Sequence, residues 1–366
     1  CSRTYPAGRI VIGRPTMALG STFDLASVRV LPGPQGTQGG KAATGGWLEL
    51  RPNPPAPERE VLGDFALGTY DRYVWRAVVN EPLAGEKLML RWTARFEDRD
   101  GYQRTLARVT NDLPNPAGFA SSRPALRSDA WGDAHDLLSR VQLRSLPFDG
   151  LELHATGQYA FRRGNGPALA LLNEPTLLTQ FGCVVGLDGC GIGFNRFART
   201  SRNVRTTYRS FRGAQDYEQA FAMLRATHRA PDDVLPSIGG LELRGQLAFH
   251  RTDASVSYDA DLTDANAYVE RVRELADQYS LEVSAGSAAA RPRAWRVGVF
   301  AWKETATLLG ENIAASLSPF EPADVLDELE TTSVAGFARA EVWLADAWML
   351  AAGARVLRDA TAARER

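Results

Sequence analysis

The residues of this chain that could do chemistry are few and far apart. Glu174 sits in Asn173-Glu174-Pro175 after the apolar run Ala168–Leu172, and Glu304 follows the run Arg293–Lys303. Two carboxyl groups about 5–5.5 Å apart, one protonated and one ionised, are what retaining glycoside cleavage requires. Asn173 beside the acid and His250 at the end of another strand pattern add hydrogen-bonding groups of the kind that hold a sugar. A second Asn-Glu-Pro at Asn80 lacks such partners. A proline after a strand also marks a turn that takes the chain out of its ladder, so both copies have a purely structural reading.

Cys183 and Cys190 lie in Phe181-Gly-Cys-Val-Val-Gly-Leu-Asp-Gly-Cys-Gly-Ile-Gly, whose five glycines predict a tight, irregular loop. Their separation suits neither a CxxC redox pair nor a zinc knuckle, and no histidine is near. A short disulfide is the expected state, with buried thiols and metal or catalytic use as alternatives. Asp259, Asp261 and Asp264 lack the glycine and distal glutamate of a calcium loop. The four histidines, 135, 154, 228 and 250, form no HxH or HxxxH pair. No nucleophile elbow, phosphate loop or dinucleotide fingerprint is present. No metal and no cofactor are expected.

Two resemblances carry function. Asn173-Glu174-Pro175 resembles the acid/base motif of retaining glycosidases of the large TIM-barrel clan. That resemblance implies Glu174 as acid/base, Glu304 as nucleophile, His250 as a substrate-binding residue and Trp343 as a sugar platform. The spacing strains it, since only Arg162–Pro167 separates two of the required strands and leaves no room for a helix. The opening Cys1-Ser2 resembles the processed end of bacterial lipoproteins. It implies diacylglycerol on Cys1, export, and with Ser2 an outer-membrane destination. Export would make a Cys183–Cys190 disulfide natural.

The elements that must position these residues read as mixed. The 366 residues are 44% hydrophobic and 23% charged with a net charge of −1, an ordinary globular composition with no basic field for nucleic acid. Lys occurs only at 41, 87 and 303, and the many arginines are scattered, as codon bias would leave them. No run reaches the 18–20 uncharged apolar residues of a spanning helix, which leaves Cys1 as the expected membrane attachment. Gly150–Arg163 and Gly240–His250 alternate with period two and predict half-buried strands. Helical spacing predicts helices over Asp129–Arg140, Asp264–Tyr279, Pro322–Glu330 and Ala338–Arg358. Gly-Leu-Glu-Leu at 150 and again at 240 suggests a duplicated β-plus-helix unit of about 90 residues, with chance similarity as the alternative.

The expected fold class is therefore β-rich α+β, with a (β/α)8 barrel as alternative. The expected divisions are a Gly/Pro-rich β segment 1–60, a β-rich module 61–149, a second module 150–238 holding the cysteine loop, and an α/β module 239–366. Trp295, Trp302, Trp343 and Trp348 cluster near the end as core or as interface anchors. The leading expectation is a lipid-anchored, non-enzymatic accessory subunit of an envelope assembly, held to a protein partner on the outer membrane or its periplasmic face. The alternative is the glycosidase, with a carbohydrate substrate.

Overall fold

Side chains alternate with a period of two through most of the chain after residue 60, and the structure, a computed structural model, makes that alternation into strands. It describes residues 23–33, 36, 37, 40, 41, 46–106, 131–169, 203–209, 211–231, 234, 240–259, 268–288, 293–314, 323–345 and 348–365. The strands are β1 (Leu25–Pro32), β2 (Gly46–Pro52), β3 (Glu60–Gly68), β4 (Arg72–Glu86), β5 (Leu88–Arg99), β6 (Arg104–Thr105), β7 (Ala134–Ser145), β8 (Leu151–Gly164), β9 (Thr206–Thr207), β10 (Ala214–Arg229), β11 (Glu242–Asp259), β12 (Tyr268–Gly286), β13 (Arg293–Ala314), β14 (Ala323–Ala345) and β15 (Trp348–Glu365). Strands β1 and β2 form a hairpin, and β6 and β9 make a two-residue parallel bridge.

The other eleven strands form one sheet in the order β15-β14-β13-β12-β11-β10-β8-β7-β5-β4-β3, every neighbour antiparallel. The expected α+β and (β/α)8 architectures are both wrong, because the described residues contain no helix and the sheet contains no parallel neighbours. The predicted helix Asp264–Tyr279 falls largely in β12, where Leu275 and Tyr279 share one face of the sheet while Val272 and Ala276 share the other. Its three-and-four spacing mixed two faces of a strand. Of the runs at Asp129–Arg140, Pro322–Glu330 and Ala338–Arg358, residues 134–140 lie in β7, 323–330 and 338–345 in β14, and 348–358 in β15. Their Ala and Leu content suits a helix, yet strand preference follows the packing surface more than the residue. The Gly-Leu-Glu-Leu echo marks β8 and β11, two strands that run the same way and present their odd-numbered residues to the same face. The expected divisions after residues 149 and 238 fall in connections between strands of this single sheet.

One end of the sheet has mostly short connections, such as the single residue between β4 and β5 and the two between β14 and β15. The other end carries the long ones, 100–133 and 165–213. These are tied at their base by buried polar side chains. Gln103 donates to the Leu169 and Val204 carbonyls at 2.9 Å each, and Trp131 donates to the Arg212 carbonyl at 2.6 Å. Arg209 lies 5.2 Å from the Trp131 ring and donates to the carbonyls of Pro167 and Leu169. Burial lowers its pKa to about 10, so it stays charged at neutral pH.

Strands β3 and β15 pair on one side only within this sheet. An antiparallel meander reverses at each step, so after ten steps these two edges run in the same direction.

The turn between β7 and β8 depends on Gly150, whose φ of +84° disfavours any Cβ and whose added Cβ would sit 2.4 Å from the Arg229 carbonyl. Gly150→Ala should cost about 1–3 kcal/mol in denaturant titration of the refolded protein. Gly157→Ala, with nothing within 4 Å of the added carbon, should change stability by less than about 0.5 kcal/mol.

Candidate functional site: an apolar outer face and a latched hairpin

The two faces of the sheet differ in chemistry. One face presents Leu88, Leu90, Trp92, Ala94 and Phe96 from β5, then Leu137, Val141 and Leu143 from β7, and Leu151, Leu153, Ala155, Gly157, Tyr159 and Phe161 from β8. It continues with Leu224, Leu247, Leu281, Ala301 and Val334 in one cross-strand line over β10 to β14. Many of these side chains are open to solvent, Val299 and Val334 at 59% and Val356 at 79%. A soluble monomer seldom exposes a contiguous apolar patch beyond a few hundred Å². This one spans the sheet.

Towards the long-loop end the apolar residues stop at a line of charge. The first charged residue on this outer face is Asp98 on β5, His135 on β7, Arg163 on β8, Glu218 on β10, Arg251 on β11, Asp277 on β12, Lys303 on β13, Glu330 on β14 and Arg358 on β15. Several are paired across strands, as in Lys303–Glu330 at 2.9 Å and Arg163 with Asp216 and Glu218. Aromatic rings sit just inside the line: Tyr73 with Phe96, Tyr159 with Phe161, and Phe249 with Tyr279, the last pair 5.1 Å apart.

The line is oblique to the strands. Traced through the register from Asp98 to Arg358, it descends eight residues over eight strand spacings. At ~3.4 Å per residue and ~4.8 Å per strand, that is a strand tilt of about 35°. Membrane barrels tilt their strands by roughly 35–45°. The apolar stretches Leu88–Phe96 and Leu151–Phe161, corrected for this tilt, stand about 22–28 Å tall, against about 25 Å for the apolar band of such barrels.

The inner face is polar and carries the hairpin. Asp24, just before β1, is the hub of this contact, with a side chain 4% exposed. It accepts hydrogen bonds from Arg91 Nε at 2.8 Å and Nη2 at 2.7 Å, from Thr93 Oγ1 at 2.7 Å and from Asn53 Nδ2 at 2.7 Å. Burial pushes its carboxyl pKa up, but these bonds and the Arg91 charge outweigh burial and hold it below the usual 3.8. Around it Arg140 donates to the Phe23 carbonyl, Gln142 to the Asn53 carbonyl, and Asn80 donates to the carbonyls of Ala56 and Glu58 and accepts from the Ala56 amide. Asn80-Glu81-Pro82 is therefore not a strand-ending turn. It lies within β4, and its asparagine fastens the segment leading to β3.

The hairpin loop reaches the opposite side of the sheet. The Gly40 amide donates to Glu282 on β12 at 2.7 Å, Lys41 Nζ lies 3.5 Å from the Trp302 ring centre, and Arg355 on β15 donates to the Gly36 carbonyl. Burial lowers the Lys41 pKa, and the charges of Glu304 and Asp359 partly restore it. Gly353 leaves the room this loop needs, since a Cβ there would come within 2.9 Å of Thr37.

The residues singled out in the sequence are scattered over this frame. Cys1, Asn173, Glu174, Cys183 and Cys190 lie outside the described residues. Glu304 and His250 do share the inner face, on one cross-strand line with Gln278 between them. Gln278 donates to Glu304, and both side chains lie buried against the sheet. Trp302 is buried on the inner face, Trp295 and Trp343 are half-buried, and Trp348 is 73% exposed at the start of β15. Asp259 is buried and accepts the Phe211 amide at 3.1 Å. Among the described residues no cluster of three or more His, Cys, Asp or Glu could hold a metal ion, and no helix is long and apolar enough to cross a membrane. Sequence reasoning missed Asp24 and Arg91, which no motif marks. Their only signal was a lone acid before a strand and an arginine at an inward-facing position of another.

No protein-family model matches the sequence, and no curated protein matches it. Solved structures do. The ferric yersiniabactin uptake receptor FyuA from Yersinia pestis matches with a TM-score of 0.69 at 17% identity, over 93% of this chain and 45% of its own. The open form of the ferric-catecholate import receptor Fiu from E. coli K12 gives 0.61 at 14%, over 93% and 50%. The alcaligin outer-membrane receptor FauA from Bordetella pertussis gives 0.55 at 13%, over 93% and 43%. The shared property is the fold, and this chain spans half or less of each of those proteins. The match overturns both functional expectations. The fold is that of those proteins' barrels and not the (β/α)8 frame of the glycosidase, and the proteins that share it are uptake receptors, not accessory lipoproteins.

The hairpin latch makes a pH prediction with a definite sign. Because the Asp24 pKa is lowered in the folded state, its contribution is complete above about pH 4 and is lost as pH falls through the lowered value. Limited proteolysis should therefore cut residues 23–58 faster below that range. Asp24→Ala leaves buried Arg91 with Glu60, 2.8 Å away, as its one remaining carboxylate partner among the described residues, and should cost about 3 kcal/mol, freeing the same segment at neutral pH.

Proposed function

We propose that this chain forms about half of the wall of an outer-membrane β-barrel receptor that imports a chelated metal, with residues 23–58 lying in its lumen as part of the plug. The observation that carries the reading is the oblique apolar band. It has the height and tilt of a bilayer-spanning wall and backs onto a polar face already occupied by the hairpin. Receptors that share this fold take up ferric yersiniabactin and ferric catecholates, and another protein that shares it is a copper transporter, which supports a metal chelate as cargo.

An unpaired strand edge cannot persist in hydrocarbon. Edges β3 and β15 run the same way, so an antiparallel closure requires an odd number of further strands between them. Eleven would make the 22 of plugged outer-membrane transporters. The long connections at one end and short ones at the other follow the same plan, in which long loops face outward and short turns face the periplasm. In this arrangement the wall itself holds the protein in the outer membrane, whether or not Cys1 bears a lipid.

Val299→Arg, at mid-height on the outer face, should destabilise the protein refolded in lipid vesicles by about 2–4 kcal/mol, while Thr305→Arg at the charged line should cost no more than about 1 kcal/mol. Equal effects would contradict the bilayer reading. Deleting the gene should abolish uptake of one ferric or cupric chelate into cells. Undiminished uptake of every chelate tested would contradict the transport reading.

A further inference from the structure

The inner face holds a concentration of arginine near the short-turn end that the latch does not use. Arg144, His154 and Arg225 lie directly opposite one another on β7, β8 and β10. Arg244 projects from β11 one line nearer the turns, opposite Thr227. Arg51 of the hairpin completes the group, and Arg51, Arg144 and Arg244 are all within electrostatic reach of Arg225. Arg144 and Arg225 stand two strands apart with His154 between them, and the charges of Arg244, Arg51 and Arg144 all repel that of Arg225, so this cluster calls for compensation.

The carboxylates present compensate only in part. Glu49 pairs with Arg51 at 2.9 Å, Glu152 with Arg144 at 3.1 Å, and Glu242 with Arg244. Among the described residues Arg225 makes no ion pair, and the carboxylate whose charge reaches it, Glu152, is paired with Arg144. Its bond is to His154 Nδ1 at 2.9 Å. An arginine can only donate, so Nδ1 is the acceptor and the imidazole proton sits on Nε2. That Nε2 is buried without a partner, on a residue 6% exposed. Arg51 Nε and Arg244 Nε are also buried and unpartnered. All three unmet groups are donors. A buried polar group left unpaired costs about 1–3 kcal/mol, and what these three lack in common is an acceptor.

We propose that the inner face between β7, β8, β10, β11 and hairpin strand β2 binds a small oxyanion, a phosphate or carboxylate group, through Arg225, the Nε2–H of His154, Arg51 and Arg244. A negative group fits better than water here because the unmet groups are all donors and Arg225 makes no ion pair of its own. The site lies beneath the hairpin, so the anion would bridge hairpin and wall. It goes beyond the transport reading and stands whether or not the barrel carries a metal chelate.

The test is calorimetric titration of the full chain, refolded in detergent micelles, with inorganic phosphate, with acetate and with chloride at matched ionic strength. Saturable binding of phosphate or acetate but not chloride is expected, and the preference between the two identifies the source of the oxyanion. Arg225→Gln should weaken that binding at least tenfold, and Arg273→Gln, in an exposed pair with Asp253 elsewhere, should leave it unchanged. Removing Arg225 relieves a like-charge cluster, so the variant should fold at least as well as the parent in anion-free buffer. The proposal fails if neither anion binds saturably, if chloride competes equally, if Arg225→Gln binds as the parent does, or if that variant cannot fold.

Discussion

The main chain of an extended strand places successive side chains on opposite faces, and here apolar residues take the face turned away from the hairpin while charged and amide residues take the face beneath it. That inversion of a soluble sheet governs everything else. Among the described residues nothing covers the outer face, and hydrocarbon is the solvent in which such a face is stable. The backbone then has to satisfy its own hydrogen bonds, which the continuous antiparallel ladder from β3 to β15 does at every step but the two edges.

The same constraint explains why the inner face tolerates so many buried charges. A charge taken out of water costs several kcal/mol unless it is paired, and inward arginines such as Arg91, Arg144 and Arg162 find carboxylates on the hairpin segment and on neighbouring strands. Asp24 collects four hydrogen bonds from three residues, and the loop around Gly40 reaches across to β12 and β15. The hairpin thus joins strands that are far apart in the sheet.

Part of this was legible in the sequence. The alternation at Gly150–Arg163 and Gly240–His250 gave two strands in the right places. What the sequence could not show was which face was wet. A half-buried strand with its apolar side on a protein core and one with its apolar side on lipid have the same period. A search for spanning helices counts uninterrupted apolar residues and passes over strands in which every second residue is polar. For that reason the lack of such a run left Cys1 as the only visible attachment. The helices failed for a related reason: Ala-rich segments such as Ala338–Arg358 present small residues to the outer face, and alanine's helix preference masked them. Asn80 and Asp24 carry no motif, and their roles depend on partners 22 to 69 residues away.

The central claim is that the outer face meets lipid along an oblique band. Spin labels placed one at a time along β5, β11 and β15 in the vesicle-bound protein, and read for contact with oxygen dissolved in the bilayer and with a water-soluble nickel chelate, test it most directly. The account predicts a period of two on each strand, with Leu90, Leu247 and Val356 in lipid. It also predicts that the boundary with water falls at Asp98, Arg251 and Arg358, descending eight residues through the register from β5 to β15. Uniform exposure to the nickel chelate, or a boundary at the same register line on every strand, would contradict it.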